Sequence, residues 1–268
     1  MQQGASLANT LRLTEFHGLS DTGDVRAHNE DNFLIDTSLA LAAVADGMGG
    51  HLAGEVASRD ALAVLHACVA AQARHAPAPA ADPDATNINP RWRHTMTLLQ
   101  AIEQANAALY AENRANGRGD GAGMGCTLTG VQAIAEMDAF VVFHVGDSRL
   151  YRYRDGVLAQ LTRDQTAYQL ALESDTPGAL PPQNLLLQAV GPSATVQPDL
   201  ASHDLRHGDL LLLCSDGLHG WVPHAELEAC LTDADAPLPA LCAGLIALAK
   251  RHSSRDNITA LLARCTGT

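Results

Sequence analysis

Four aspartates stand where apolar segments stop or start. Asp46 closes the run Leu39–Ala45 and leads into Gly47-Met48-Gly49-Gly50. Asp147 follows the run Ala139–Val145, inside Gly146-Asp147-Ser148-Arg149. Asp216 follows Leu210–Cys214, inside Ser215-Asp216-Gly217, and Asp256 precedes Ile258–Ala263. An apolar run of 4–8 residues bounded by turn residues reads as a strand buried on both faces. Strands stacked in one sheet bring such ends together. Converging carboxylates repel: a pair about 4 Å apart costs roughly 4 kcal/mol at an effective dielectric near 20. They must be protonated, point apart, or hold cations between them. Hard divalent ions such as Mg²⁺ and Mn²⁺ take oxygen ligands and keep several waters. Two such ions sharing one aspartate can activate a water and clamp both oxygens of an in-line displacement. That is the chemistry of phosphate-ester hydrolysis.

Plainer readings exist for each piece. Asp-Gly is a strong turn dipeptide. Asp155-Gly156, between two short alternating strands, is a hairpin turn and nothing more. Ser20–Asp31 is polar and turn-rich, and alone it reads as a surface loop. It also carries Arg26, a fork able to grip phosphate oxygens bidentately, followed by Glu30 and Asp31. Gly117–Gly125 is glycine-rich but runs from a helix to a strand. A phosphate cradle needs the reverse order, with a helix N-terminus facing the anion. No Gly-x-Ser-x-Gly nucleophile elbow is present, and no His-Glu-x-x-His zinc signature.

The elements that must position these residues alternate between strand and helix patterns. Leu11–Gly18, Asn32–Asp36 and Leu39–Ala45 read as strands, followed by helices over Gly54–Ala73 and Trp92–Asn116. The Ala/Pro-rich stretch 74–90 between the helices reads as an exposed connection. Thr127–Ala135, Ala139–Val145, Leu150–Arg154, Val157–Leu161, Leu185–Val190 and Val196–Asp204 read as strands. The apolar runs before Asp216 and after Asp256 add two more. Helices are expected near Ala225–Cys230 and over Leu238–Lys250.

Composition bounds the partners. The chain has 268 residues, 47% hydrophobic and 18% charged, which suits one globular domain after a flexible tail at 1–10. Its formal net charge of −13 argues against nucleic acid or an anionic membrane as partner. The six cysteines form no Cys-x-x-Cys pair and read as free thiols of a reducing, cytoplasmic compartment. No signal peptide is visible, and the longest apolar run, Leu238–Ala249, is too short for a membrane span.

The chain resembles the metal-dependent protein phosphatases of type 2C, in their bacterial single-domain form. The matching stretches are RAHNED at 26–31, ADGMGGHLAGE at 45–55, MGCTLT at 124–129, HVGDSRLY at 144–151, LTRDQ at 161–165, QAVG at 188–191, LLLLCSDGL at 210–218 and SRDNIT at 254–259. They fall in family order across nearly the whole chain. The resemblance implies an α+β fold: a four-layer α/β/β/α sandwich of two antiparallel sheets flanked by helix pairs, within one domain over 11–268. It implies two tightly bound Mn²⁺ or Mg²⁺ ions, with Asp46 bridging both, the Gly47 carbonyl on one, and Asp216 and Asp256 on the other. Asp147 would hold a third, weaker ion with Asp216. Arg26 would bind phosphate, and Glu30 and Asp31 would orient metal-bound waters. Met48 and Gln165 depart from residues common elsewhere in the family, where histidines stand. Residues 162–184 match a flap and are short for one. The implied activity is hydrolysis of phosphoserine and phosphothreonine in proteins, opposing a bacterial serine/threonine kinase, by a monomer. The alternative is a non-catalytic regulator of the same fold that binds phosphoproteins, although such a protein would usually have lost a ligand aspartate.

Overall fold

Side chains of a strand alternate between its two faces, and that alternation divides each apolar run between two cores. Along β3 (Leu41–Met48), Leu41, Ala43 and Ala45 enter one core while Ala42 and Val44 enter another. A strand covered on both faces has no solvent side, so it reads as a continuous apolar run. The computed structural model describes residues 11–49, 53–74, 89–134, 136–174, 179–233 and 235–267. The expected tail at 1–10 and most of the 74–90 connection lie outside them.

Two antiparallel sheets result. In one, β2 (Asp31–Asp36), β3, β5 (Leu128–Ile134), β6 (Ala139–Val145) and β9 (Asp199–Asp204) lie side by side in that order, and the short β4 (Gly125–Cys126) pairs with β3. In the other, β1 (Leu11–Asp21), β11 (Ile258–Gly267), β10 (Leu210–Cys214), β7 (Arg149–Arg154) and β8 (Val157–Gln160) follow one another. Helices α1 (Ala53–Arg74) and α2 (Pro90–Ala115) cover the first sheet through Ala57, Ala61, Leu65, Val69, Leu98, Ile102 and Leu109. The α1 residues recur every fourth position and so form one stripe. Asn89 caps α2 by accepting from Arg91 N at 2.9 Å, and Pro90 fits its first turn. Helix α6 (Leu238–Arg251), with the short α4 (Asp216–His219) and α5 (His224–Cys230), covers the second sheet. A third core, including Val131, Phe140, Leu150, Leu211, Leu213 and Leu261, lies between the sheets. Each of these buried leucines stabilises the fold by about 1.5–3 kcal/mol over an exposed one. The layers are therefore helix, sheet, sheet, helix, as the sequence resemblance implies.

Two local expectations need correction. Leu185–Val190 is not a strand: it makes only isolated bridges, Thr166 with Leu186 and Cys126 with Val190. Only its end, Val190, meets a strand, at Cys126 of β4, and Leu185 and Leu187 remain about half exposed. The strand expected from Val196 begins at Asp199, where pairing with His144 starts. Two short elements complete the order: the helix α3 (Ala167–Glu173), capped by Thr166, and the single turn α4.

Candidate metal centre

Chain reversals at one end of the sandwich bring the four aspartates to one cleft of about 300 Å³, bordered also by Arg26, Glu30, Gly47, Met48 and Asn257. Asp46 lies within β3, not beyond it, because the strand continues through Gly47, paired with Cys126, to Met48. Its backbone is gripped from β5's approach. The Asp46 N–H donates to Thr127 Oγ1 at 2.9 Å and its carbonyl accepts from Thr127 N at 2.8 Å. The same Thr127 hydroxyl meets Ser148 Oγ at 2.7 Å, beside Asp147. Gly47 is needed for close approach. A Cβ there would stand 2.0 Å from the Gly54 carbonyl oxygen and 2.6 Å from that of Glu30.

Asp147 hangs on the β6–β7 turn. Gly146 has φ +103°, which favours glycine, and a Cβ would press on the Thr127 methyl at 2.7 Å. Gln165 fastens this turn from the far side. Its N–H donates to the Gly146 carbonyl at 2.7 Å, and its side-chain oxygen accepts from Gly146 N at 2.9 Å. Its side-chain amide donates to Asp199 Oδ2 at 3.0 Å, and its carbonyl accepts from Leu187 N at 2.7 Å. His219 of α4 donates from Nε2 to the Asp147 carbonyl at 2.9 Å; burial holds its ring neutral, down to about 3.

Asp216 opens α4, and Asp256 precedes β11. Asn257 ties this edge to the β1–β2 connection. Its side chain accepts from Glu30 N and donates to the carbonyls of Thr22 and His28, each at 2.9 Å. Glu30 borders the cleft, with Oε1 accepting from Gly54 N at 3.2 Å in the first turn of α1. Asp31 lies beneath the cleft, register partner of Asp46, with Oδ2 accepting from Ser215 Oγ at 2.6 Å and Thr259 Oγ1 at 2.7 Å. Arg26 stands at the rim, its side chain half exposed, and donates from Nη2 to Asp256 Oδ2 at 2.7 Å.

The electrostatics call for positive charge. Burial, then the charges of Asp31, Asp216, Asp147 and Asp256, hold Asp46 well above the usual carboxylate range. Burial followed by Asp216 pushes Asp147 up to about 7, and burial followed by Asp256 raises Asp216. Burial likewise lifts Asp31 to about 7, against its two hydroxyl donors. Asp216 Oδ1 is buried without a hydrogen-bond partner. A buried, unpartnered carboxylate oxygen is costly. An all-oxygen donor set with an orphaned anionic atom fits a hard divalent cation. Among the described residues, no three His, Cys, Asp or Glu side chains close on a single point. A site in which few side chains converge leaves coordination positions to water, as Mg²⁺ and Mn²⁺ favour.

Sequence reasoning did not assign Thr127, Gln165, Asn257 or His219 to the site. The first three lie in stretches already singled out, MGCTLT, LTRDQ and SRDNIT, but their contacts join distant segments. The one Cys-x₅-Arg spacing, Cys68 to Arg74, runs along α1, with Cys68 Sγ on Gln104 Oε1 at 2.8 Å and burial raising the thiol. It brings no thiolate to the cleft.

Residues 24–262 match the sequence model of a family described as protein phosphatase 2C. A serine/threonine phosphatase, stp, of Listeria innocua is 35% identical over 263 residues, covering 91% of this chain and 92% of that protein. The serine/threonine protein phosphatase PstP of Mycobacterium tuberculosis is 35% identical, covering 96% of this chain and 46% of that protein. Among solved structures, PppA, described as a regulatory component of the type VI secretion system in Pseudomonas aeruginosa, superposes with a TM-score of 0.78. It is 30% identical and covers 96% of this chain and 100% of that one. The catalytic domain of PstP in complex with two manganese ions superposes with a TM-score of 0.76 at 33% identity, covering 96% and 100%.

Proposed function

The chain belongs to the protein phosphatase 2C family, and from that premise we propose that it hydrolyses phosphoserine and phosphothreonine in proteins with the help of divalent metal. The observation that carries this reading is the cleft itself: four carboxylates from four segments border it, and one of their oxygens is buried without a partner. When bound, Mn²⁺ or Mg²⁺ supplies Lewis acidity to activate water and offset phosphate charge. Asp46, the Gly47 carbonyl, Asp216 and Asp256 would hold a tight pair of ions, and Asp147 with Asp216 a weaker third. Arg26, at the rim, would receive the substrate phosphate on the guanidinium nitrogens that Asp256 leaves free. Glu30 keeps a carboxylate oxygen at the cleft wall and would orient water there. Asp31 positions Ser215 and Thr259 below, and its second oxygen would do the same. Met48 offers no proton, so no side chain is assigned as acid for the leaving group.

The finer reading is a cytoplasmic signalling enzyme, a monomer of one domain over 11–268, opposing a serine/threonine kinase. In its support, a shared inter-sheet core joins both halves of the chain, and no described helix is long and apolar enough to cross a membrane. A non-catalytic phosphoprotein-binding regulator is the weaker reading, because every ligand aspartate is present. The test is turnover of a phosphoserine peptide with Mn²⁺, with chelator, and in Asp46→Asn. Activity should need Mn²⁺ and fall more than tenfold in the folded variant; retention of over a tenth of the rate at saturating Mn²⁺ would remove Asp46 from the metal site.

A further inference from the structure

A second cleft, of about 430 Å³, adjoins the first, and Gly49 borders both. Arg118 lines its outer wall, with Asn113, Asn116 and Met124. The wall is fixed. The buried Asn113 side chain donates to the carbonyls of Met124 at 2.7 Å and Gly191 at 3.1 Å, and accepts from Met124 N at 2.9 Å. Arg118 N donates to the Asn113 carbonyl at 2.9 Å, and the Arg118 carbonyl accepts from Arg114 Nη1 at 2.9 Å. The Arg114 guanidinium thus holds the Arg118 backbone, and both residues are exposed at the end of α2.

Among the described residues no carboxylate neutralises either of them. Several arginines are turned onto carboxylates: Arg149 onto Asp164, Arg154 onto Asp209, Arg163 onto Glu173. Among the described residues neither Arg114 nor Arg118 makes a salt bridge. Asp120, two positions beyond Arg118, is turned toward Ala194 N at 3.3 Å. On a chain of formal net charge −13, this places positive charge in the cleft that adjoins the carboxylate-lined one.

We propose that Arg118, backed by Arg114, is the docking surface for acidic residues flanking the phosphorylated residue of the substrate. The proposal rests on the phosphatase reading and narrows it to a substrate class. An extended peptide advances about 3.3 Å per residue. With its phosphate in the metal cleft, acidic side chains a few positions away therefore reach the adjoining cleft. The attraction acts across solvent, so it is weakened by salt, and it acts on binding more than on the chemical step. Among the described residues Arg118 makes no hydrogen bond or ion pair with a residue assigned to the metals or the phosphate.

The test uses two phosphoserine peptides of equal length, with Glu or Gln at the positions flanking the phosphoserine, and p-nitrophenyl phosphate as a substrate without flanks. Wild-type kcat/KM should be at least fivefold higher for the Glu peptide, with the difference in KM. Arg118→Glu should abolish or reverse that preference, Arg118→Lys should keep part of it, and 0.4 M NaCl should collapse it. Arg118→Glu should leave p-nitrophenyl phosphate turnover within twofold. An equal preference in wild type and Arg118→Glu overturns the proposal, as does an equal loss on the flankless substrate. Fluorescence anisotropy of the labelled peptides with metal chelated separates the two readings. If no phosphopeptide is turned over at all, the phosphatase reading fails, while the Glu preference in binding, or its absence, still decides the surface.

Discussion

Arg26 shares its guanidinium between the protein and whatever enters the cleft. One nitrogen is on Asp256, but the pair is exposed, 50% at Arg26 and 31% at Asp256. Exposed pairs contribute little, about 0–1 kcal/mol, so the contact does not commit Arg26 to Asp256. A charge-assisted bond to phosphate contributes more, about 1.5–3 kcal/mol. Arg26→Ala should therefore raise KM for a phosphopeptide about tenfold or more and weaken inhibition by inorganic phosphate, with half-saturating Mn²⁺ within about threefold of wild type. Arg26→Lys should recover only part, since an ammonium lacks the fork; unaltered phosphate inhibition would take Arg26 out of substrate binding. Asp147 poses the opposite problem, a turn residue that is also buried. An Asn could make the same turn bonds but could not hold a hard cation. Asp147→Asn should keep the fold and cut turnover at least tenfold, about 1.4 kcal/mol of barrier, with part of the loss recovered at high Mn²⁺. Full activity at low Mn²⁺ would leave Asp147 a turn residue.

At the scale of elements, the apolar runs were legible because both faces of the central strands are buried, so composition alone marks them. Leu185–Val190 carries the same composition but pairs through isolated bridges alone, and composition cannot tell a half-exposed apolar loop from a strand. The aspartates were legible because each abuts a run. Gln165 was not, because its partners, Gly146, Leu187 and Asp199, are brought together only by the fold. It fastens the Asp147 turn to the base of the flap-like segment, and the buried amide has no spare polar atom. Gln165→Ala should leave Gly146 N unpaired and lower stability by about 1–3 kcal/mol, the cost of one unsatisfied buried group. It should also raise the Mn²⁺ concentration needed for half-maximal turnover, as the turn loosens. Gln165→His, a donor and acceptor of similar reach, should restore most of both. Lower stability in chemical denaturation with an unchanged Mn²⁺ requirement would make Gln165 a support of the fold alone.

Over the whole molecule, protons and cations compete for the same carboxylates. Burial first, and neighbouring acids second, keep Asp147 and Asp31 protonated up to about 7 and hold Asp46 above the usual range. In the unfolded chain these groups ionise near pH 4. Between about pH 4 and pH 7 the unfolded chain therefore releases protons that the metal-free fold keeps, and stability falls as pH rises through that window. Burial keeps His144 and His219 neutral in the fold, and these groups cost stability as pH falls below about 6.5. The two trends oppose each other in a plain pH scan. A divalent cation acts only on the first, since ligand carboxylates must lose their protons to bind it. The rise in melting temperature on adding saturating Mn²⁺ should therefore be larger at pH 7.5 than at pH 5.5, where protons still hold the cluster. The histidine contribution cancels in that difference, because it is the same with and without the ion. Chelator should reverse the rise at both values, and Asp46→Asn should shrink it most at pH 7.5. A rise independent of pH would mean that Mn²⁺ binds without displacing protons, and so binds somewhere other than this carboxylate cluster.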